Sequence, residues 1–227
     1  MHPRQRLVYI LPKTLAVLVG LAAAVFISAG RLDYWQGWAF LALNALFLGL
    51  TIVALRGEPG LIRERLSPKG VKRWDKAYLC VSGVLFFAML IAAVLDSGRF
   101  HWSGSVAPET YAAAWIAYAA GQCIFLWAKR TNRFFSSVVR IQNDRGQKVC
   151  KDGPYMFVRH PGYVGGMIYM VAMPFMLGSP LAAWLAVPQV IALVVRTHFE
   201  DRMLKKGLPG YAAYAKKVRW KLLPGVW

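Results

Sequence analysis

Six long apolar segments, separated by loops that carry Lys and Arg, constrain this chain more than any other feature of the sequence. A helix needs about 20 mostly apolar residues to cross a bilayer. The segments run from about Leu7 to Ala29, Trp35 to Leu55, Ala77 to Leu95, Tyr111 to Ala128, Tyr163 to Leu177 and Leu181 to Val195. Hydrophobic residues make up 57% of the chain and the mean hydropathy is +0.40, which few soluble domains of this length tolerate. We therefore predict an all-α, multi-pass integral membrane protein with six transmembrane helices.

The basic residues predict the orientation of these helices. Segments 56–76, 129–160 and 196–227 hold seven, eight and eight Lys and Arg residues, whereas the alternate loops 30–34, 96–110 and 178–180 hold one, one and none. Positive residues are enriched in cytoplasmic loops. Both termini are therefore expected in the cytoplasm, and segment 61–66 is expected to lie on the charged membrane surface.

The net charge of +18 does not point to nucleic acid, because the basic residues punctuate hydrophobic spans instead of forming a soluble face. The three cysteines and four histidines show no spacing typical of metal ligands or of a disulfide framework. We expect no metal and no nucleic acid partner, but contacts with membrane lipids.

The link between the last two apolar segments has three residues, 178–180, and so predicts a tight antiparallel helical hairpin. We divide the chain into four N-terminal spans, residues 1–128, and a C-terminal region, residues 129–227. A final amphipathic helix is expected between Pro209 and Trp227, lying in the interface and able to close a pocket from below.

The run GPYMFVRHPGYVGG, residues 153–166, precedes the hairpin and is unlike an ordinary loop. Pro161 suits the first turn of a helix, whose exposed N–H groups and positive dipole end favour an anion. Tyr155 and Tyr163 are able to stack on a planar group, and the glycines allow close approach. The alternative is that the prolines and glycines only start and pack a helix.

Arg196 and Glu200 lie four residues apart and so share one helix face at the inner end of the sixth span. Turned inward, they offer a cation for a carboxylate and an anion for hydroxyl or ammonium groups. Alternatively, they pair with each other or extend towards the lipid headgroups.

Taken together, GPYMFVRHPGYVGG, RTHFEDRML, GYAAYAKKV and the terminal LLPGVW resemble the isoprenylcysteine carboxyl methyltransferase family, within a wider group that includes phospholipid methyltransferases. The resemblance starts near Asn132. It implies that the C-terminal region binds S-adenosylmethionine and that a lipophilic substrate arrives from the bilayer. The implied cofactor contacts are Gln142, Gln147, Lys148, Val149, Cys150, Tyr155, His160, Pro161, Gly162, Tyr163 and Glu200, and the implied substrate contact and catalytic residue is Arg196.

A carboxylate acceptor needs no general base, because the sulfonium methyl group is already activated, and the sequence shows no acid–base dyad. Methylation of a lipid amine or a small thiol stays open, and it would need a base such as His160 or His198. Two further alternatives are a NADPH-dependent membrane reductase, since sterol reductases share a similar hairpin, and a protein that keeps the scaffold without the chemistry.

Overall fold

The computed structural model of the chain describes residues 3–54 and 70–227, and these residues form helices and loops without β-strands. The α-helices of the described residues are α1 (Pro3–Ala29), α2 (Trp35–Ala54), α3 (Arg73–Val94), α4 (Pro108–Thr131), α5 (Pro161–Met176), α6 (Ala186–Gly207) and α7 (Tyr211–Lys217). A π-helical turn, Leu95–Phe100, continues α3, and a 3₁₀ turn, Leu181–Leu185, leads into α6. The prediction of an all-α fold is confirmed.

Four helical segments in the described ranges are long and apolar enough to cross a membrane. They are Trp35–Ala54, Arg73–Phe100, Pro108–Thr131 and Leu181–Gly207. The apolar part of α1, Thr14–Ala29, is shorter. Helix α5 has 16 residues, or about 24 Å at 1.5 Å per residue, which is less than the roughly 30 Å hydrocarbon core. Helices thus lie at all six predicted places, but six complete membrane spans are not confirmed. Segment 61–66, which was predicted to lie on the membrane surface, is outside the described residues.

The main core lies between the first five helices. Its fully buried members include Val25 of α1, Phe40 of α2, Leu90 of α3 and Met173 of α5. Large apolar side chains also cover the outer faces of these helices, where they are exposed. A helix that is apolar on all sides suits a lipid environment, because burial within the protein and contact with lipid both remove its surface from water.

The predicted hairpin of α5 and α6 is confirmed, and its turn is held by the N-terminal half of the chain. Asp96 of the π-helical turn accepts a hydrogen bond of 2.5 Å from the Ser179 hydroxyl and one of 2.8 Å from the Ser103 N–H. The Tyr34 hydroxyl donates to the Leu177 carbonyl at 2.7 Å. Gly178 adopts φ 91°, which favours glycine. The turn of the hairpin is therefore fixed by polar contacts.

Helices α4 and α5 pack so closely that their backbones are in contact. A Cβ atom on Gly121 would lie 2.7 Å from the Gly165 carbonyl oxygen and 2.8 Å from the Tyr169 nitrogen. Such contacts leave no room for a side chain, and small residues at helix crossings are typical of membrane proteins. Gly165 therefore packs two helices together and does not open the approach to a ligand.

The C-terminal helix is shorter than predicted, because α7 ends at Lys217. Beyond it the chain is held by hydrogen bonds from the Arg159 N–H to the Trp220 carbonyl, at 2.9 Å, and from the His160 N–H to the Lys221 carbonyl, at 3.0 Å. Leu222, which lies within the predicted helix, is 2% exposed in this non-helical tail. The prediction of a helix to the end of the chain was wrong, because backbone pairing with residues 159–160 replaces helical bonding.

Candidate active site

One polar cavity lies at the open end of the α5–α6 hairpin, away from its turn. Its walls come from the loop 132–160 between α4 and α5, the first turn of α5, the last turns of α6, and α7. The cavity measures about 90 Å³. Most of the predicted contacts line it, namely Gln142, Gln147, Lys148, Val149, Cys150, Tyr155, His160, Gly162, Tyr163 and Glu200.

Pro161 does not line the cavity; it is buried at the first position of α5, after His160 at the N-cap. This is the helix-starting role that its missing N–H predicts. Next to it, Gly162 lies against the ring of Phe135, whose Cε2 would be 2.5 Å from a Cβ on the glycine. The glycine thus admits an aromatic side chain of the loop, and this ring forms part of the cavity wall.

The loop is held together by the buried side chain of Gln142. Its amide nitrogen donates to the Phe134 carbonyl at 2.7 Å, and its amide oxygen accepts a hydrogen bond from Arg145. Its backbone N–H donates to the Gln147 side chain at 2.6 Å. These contacts shape the loop. Gln142 and Gln147 therefore line the cavity, but much of their hydrogen-bonding capacity is used by contacts within the loop.

Tyr155 and Cys150 lie on the side of the cavity next to α4. The Tyr155 hydroxyl donates to the Ala128 carbonyl at 3.4 Å and accepts from the Asn132 side chain at 3.3 Å. Burial raises the pKa of the Tyr155 hydroxyl and that of the Cys150 thiol. Both groups are therefore neutral at physiological pH, and they contribute shape and hydrogen bonds to the wall instead of charge.

The polar centre of the cavity joins the two helices of the hairpin. The Tyr163 hydroxyl of α5 donates a hydrogen bond to Oε2 of Glu200 on α6. The imidazole of His160 stacks on the Tyr163 ring, with centroids 5.6 Å apart and an interplanar angle of 3°. A carboxylate has room for about four hydrogen bonds in all. Glu200 therefore keeps capacity for a donor from a ligand.

Arg159 and Asp201 form a buried ion pair beneath the cavity, to which the sequence analysis assigned no role. Arg159 Nε donates to Asp201 Oδ1 at 2.7 Å, and its Nη1 donates to the carbonyls of Val218 and Arg219 at 2.9 Å each. Asp201 also accepts from the Tyr211 hydroxyl at 3.1 Å. This pair fixes the tail and α7, so that Tyr211 and its neighbour Tyr214 close the cavity, as the prediction of a docked tail required.

Arg196 lies one layer behind the cavity wall and is not among its lining residues. Its guanidinium carbon lies 5.4 Å from the Tyr163 ring centroid and 4.5 Å from that of Tyr78. Its Nε donates at 2.9 Å to Oδ1 of Asp75, a fully buried residue of α3, and its Nη2 donates at 2.9 Å to the Ser137 carbonyl. Among the described residues, Arg196 thus forms its ion pair with Asp75 and not with Glu200.

Comparison with known proteins finds similarity in the part of the chain that forms most of this cavity. Residues 114–206 match the model of the isoprenylcysteine carboxyl methyltransferase (ICMT) family. We call this matched segment, which makes up less than half of the chain, the ICMT region. A segment of 89 residues is also 30% identical to protein-S-isoprenylcysteine O-methyltransferase B of Arabidopsis thaliana, and it covers 38% of this chain and 45% of that relative. The match thus spans less than half the length of the curated relative.

The ICMT region contains the hairpin and the polar centre of the cavity, including Tyr163, Arg196 and Glu200. Three neighbours of the site lie outside it, because Tyr211 and Tyr214 follow residue 206 and Asp75 precedes residue 114. With its apolar helices, the ICMT match identifies the chain as an integral membrane protein. The described residues hold no group of three His, Cys, Asp or Glu side chains that could bind a metal ion.

Proposed function

We propose that this protein is a membrane methyltransferase that uses S-adenosylmethionine to methylate the carboxylate of a lipophilic acceptor, such as an isoprenylated cysteine. The observation that carries the proposal is the polar cavity, whose Tyr163–Glu200 centre lies inside the ICMT region. The 30% identity to a plant protein-S-isoprenylcysteine O-methyltransferase supports the same chemistry.

The lining of the cavity fits the chemical groups of S-adenosylmethionine. The Glu200 carboxylate suits an ammonium or ribose hydroxyls, and the basic side chain of Lys148 suits a carboxylate. The ring of Tyr211 offers a flat face for adenine. Ligand pockets usually measure about 300–1,000 Å³. The cavity measures about 90 Å³, which is smaller than this, so binding of the whole cofactor requires the wall to open.

The cofactor supplies a methyl group already activated on a sulfonium. With a carboxylate acceptor, the protein needs to align the acceptor oxygen with that methyl group and to exclude water. In this scheme Glu200 and the aromatic side chains of the wall hold S-adenosylmethionine. The tail, with Tyr211 and Tyr214, shields the cavity from water. No residue has to remove a proton, in line with the absence of an acid–base dyad in the sequence.

Amine or thiol acceptors would need a base, and the two candidate imidazoles differ in position. His160 lines the cavity, whereas His198 is exposed on α6 and does not line it. The His160 Nε2 lies 3.5 Å from the Tyr211 hydroxyl and 3.7 Å from Asp201 Oδ1. Substitution of His160 therefore distinguishes the two kinds of acceptor. It should slow methylation of an amine or thiol by removing the base, whereas a carboxylate needs no base.

A lipophilic acceptor is supported by a second, apolar groove on the outer surface of α4 and α5. Its walls include Ala113 and Ala117 of α4 and Ile168 of α5, and it measures about 740 Å³. One end is formed by Val164 and Leu223, the first of which follows Tyr163 of the cavity wall. A hydrocarbon chain in this groove would have its polar end near the cavity.

The experiment incubates membranes that contain the protein with methyl-labelled S-adenosylmethionine and an N-acetylated isoprenylcysteine. We expect labelled product whose label is released by mild base, as from a methyl ester. Membranes that contain Arg196→Ala are the control, because the guanidinium is proposed to hold the acceptor carboxylate. Stable label in the product would point to an amine or thiol, and no labelled product with any acceptor would contradict the proposal.

A further inference from the structure

Asp75 is a fully buried carboxylate near the start of α3, far in sequence from the residues of the cavity. Its Oδ1 accepts the Arg196 Nε at 2.9 Å and its Oδ2 accepts the Val139 N–H at 2.7 Å. A buried carboxylate requires such partners. One side chain of α3 thus contacts both α6 and the loop that forms the cavity wall.

Arg196 has a second carboxylate within reach on its own helix. Glu200 lies four residues further along α6, and side chains at this spacing are neighbours on a helix. The geometry of the site nevertheless separates them: Arg196 pairs with Asp75, while Glu200 accepts the Tyr163 hydroxyl. Two anions thus compete for one cation, and the arrangement leaves Glu200 facing the cavity.

We propose that Asp75 is a positioning residue that holds Arg196 away from Glu200. The inference rests on the proposed function, and it assigns Asp75 two effects. Glu200 stays available to the cofactor, because the Arg196 guanidinium hydrogen-bonds to Asp75 and Ser137 instead. Arg196 is fixed by hydrogen bonds from its Nε to Asp75 and from its Nη2 to the Ser137 carbonyl. Neither of these two contacts uses its Nη1.

The consequence of neutralising Asp75 follows from the same geometry. In Asp75→Asn the Arg196 guanidinium loses its ionic partner and turns to Glu200, the next carboxylate along α6. The Asn side-chain oxygen still accepts the Val139 N–H, so the loop keeps that contact. Cofactor binding then weakens because Glu200 is taken by Arg196, although Asp75 itself is not among the residues that line the cavity.

The test is calorimetric titration of the detergent-purified protein with S-adenosylhomocysteine. We expect the Kd to rise about tenfold or more in Asp75→Asn, since hydrogen bonds to charged groups are the strong ones. In Asp75→Asn/Arg196→Gln the cation is gone and Glu200 is free again. The affinity should therefore return to within about threefold of wild type, while methyl transfer stays lost. Asp75→Ser is measured in parallel, so that the result does not depend on one variant.

A merely structural Asp75 gives a different pattern, because the double variant would then bind as weakly as Asp75→Asn or more weakly. That result, or an unchanged Kd in Asp75→Asn, overturns the inference. Asp96→Asn is the matched control, as it neutralises the buried carboxylate at the other end of the same helical segment, and it should leave the Kd unchanged. If wild type itself binds no S-adenosylhomocysteine, the proposed function fails instead.

Discussion

At the scale of single residues, the site is defined by which charges are paired within the protein and which stay available to a ligand. Glu200 faces the cavity and is hydrogen-bonded to Tyr163. Arg159 and Arg196 are each paired with a buried aspartate, Asp201 and Asp75 respectively. Buried ions are costly unless they are paired. The pairing therefore leaves the Glu200 carboxylate available to an ammonium or hydroxyl group, while Lys148 elsewhere in the lining is available to a carboxylate.

Cys150 provides a probe of this cavity, because it lines the wall and is half-buried. Its pKa is raised by burial, and the thiolate is the reactive form. In a variant with Cys80→Ser and Cys123→Ser, we expect Cys150 to be alkylated more slowly at pH 8 than a free cysteine. The rate of its alkylation should also rise at a higher pH than the rate for a free cysteine. S-adenosylhomocysteine should slow the alkylation further.

The measurement is the rate of iodoacetamide incorporation as a function of pH, with and without that ligand. Reaction at the rate of a free thiol, unaffected by the ligand, would show that Cys150 is not part of the binding cavity.

At the scale of helices and loops, the tail is the element whose position depends on one side chain. Arg159 bonds to Asp201 and to two carbonyls beyond α7. In Arg159→Met we expect a loss of about 3 kcal/mol of stability, the usual cost of removing one partner of a buried ion pair. Trypsin should cleave the released tail near Lys216 and Lys217, and the affinity for S-adenosylhomocysteine should fall as Tyr211 and Tyr214 leave.

Limited proteolysis and thermal unfolding check this prediction. Arg202→Met is the matched control, because Arg202 is exposed on the same helix beside Asp201. Equal cleavage of the tail in both variants would count against the proposed role of Arg159.

The groove between α4 and α5 is tested by filling it. Ala113→Phe places a ring in the groove, whereas Ala112→Phe adds the same ring one position away, at an exposed residue that does not line it. We expect only Ala113→Phe to raise the KM for a long-chain acceptor, about tenfold, with no change in cofactor affinity. If both variants have the KM of wild type, the groove does not hold the hydrocarbon chain.

Local features of the sequence predicted more of this molecule than its long-range pairings. Apolar segments predicted where the helices lie, the three-residue link predicted the hairpin, and Pro161 predicted the start of α5. The resemblance supplied most of the lining residues. The pairs Arg159–Asp201 and Asp75–Arg196 span 42 and 121 residues. Nothing local to Asp75 distinguishes it from an exposed carboxylate, because its partner is set by the packing of α3 on α6.

The end of α7 was missed for the same reason. Residues 211–222 have a helical pattern, but the backbone of residues 159–160 offers competing hydrogen bonds that only the fold brings close. Tertiary contacts of this kind commonly override local propensity.

At the scale of the whole molecule, the basic loops predict that the cavity faces the cytoplasm. The loop 132–160 and the chain after α6 form its walls, and both belong to the segments rich in Lys and Arg. We expect a reporter fused after residue 227 to be accessible only from the cytoplasmic side, and one inserted in the loop 101–107 to be accessible only from the other. Accessibility of both reporters from one side would contradict this topology.

The central claim is that the cavity at the open end of the α5–α6 hairpin binds S-adenosylmethionine. Calorimetric titration of the purified protein in detergent tests this claim most directly. We predict saturable one-site binding to wild type that S-adenosylhomocysteine displaces, and a Kd about tenfold or more higher in Glu200→Gln, which keeps the shape but removes the charge. Absence of binding to wild type, or binding of NADPH in its place, would contradict the account.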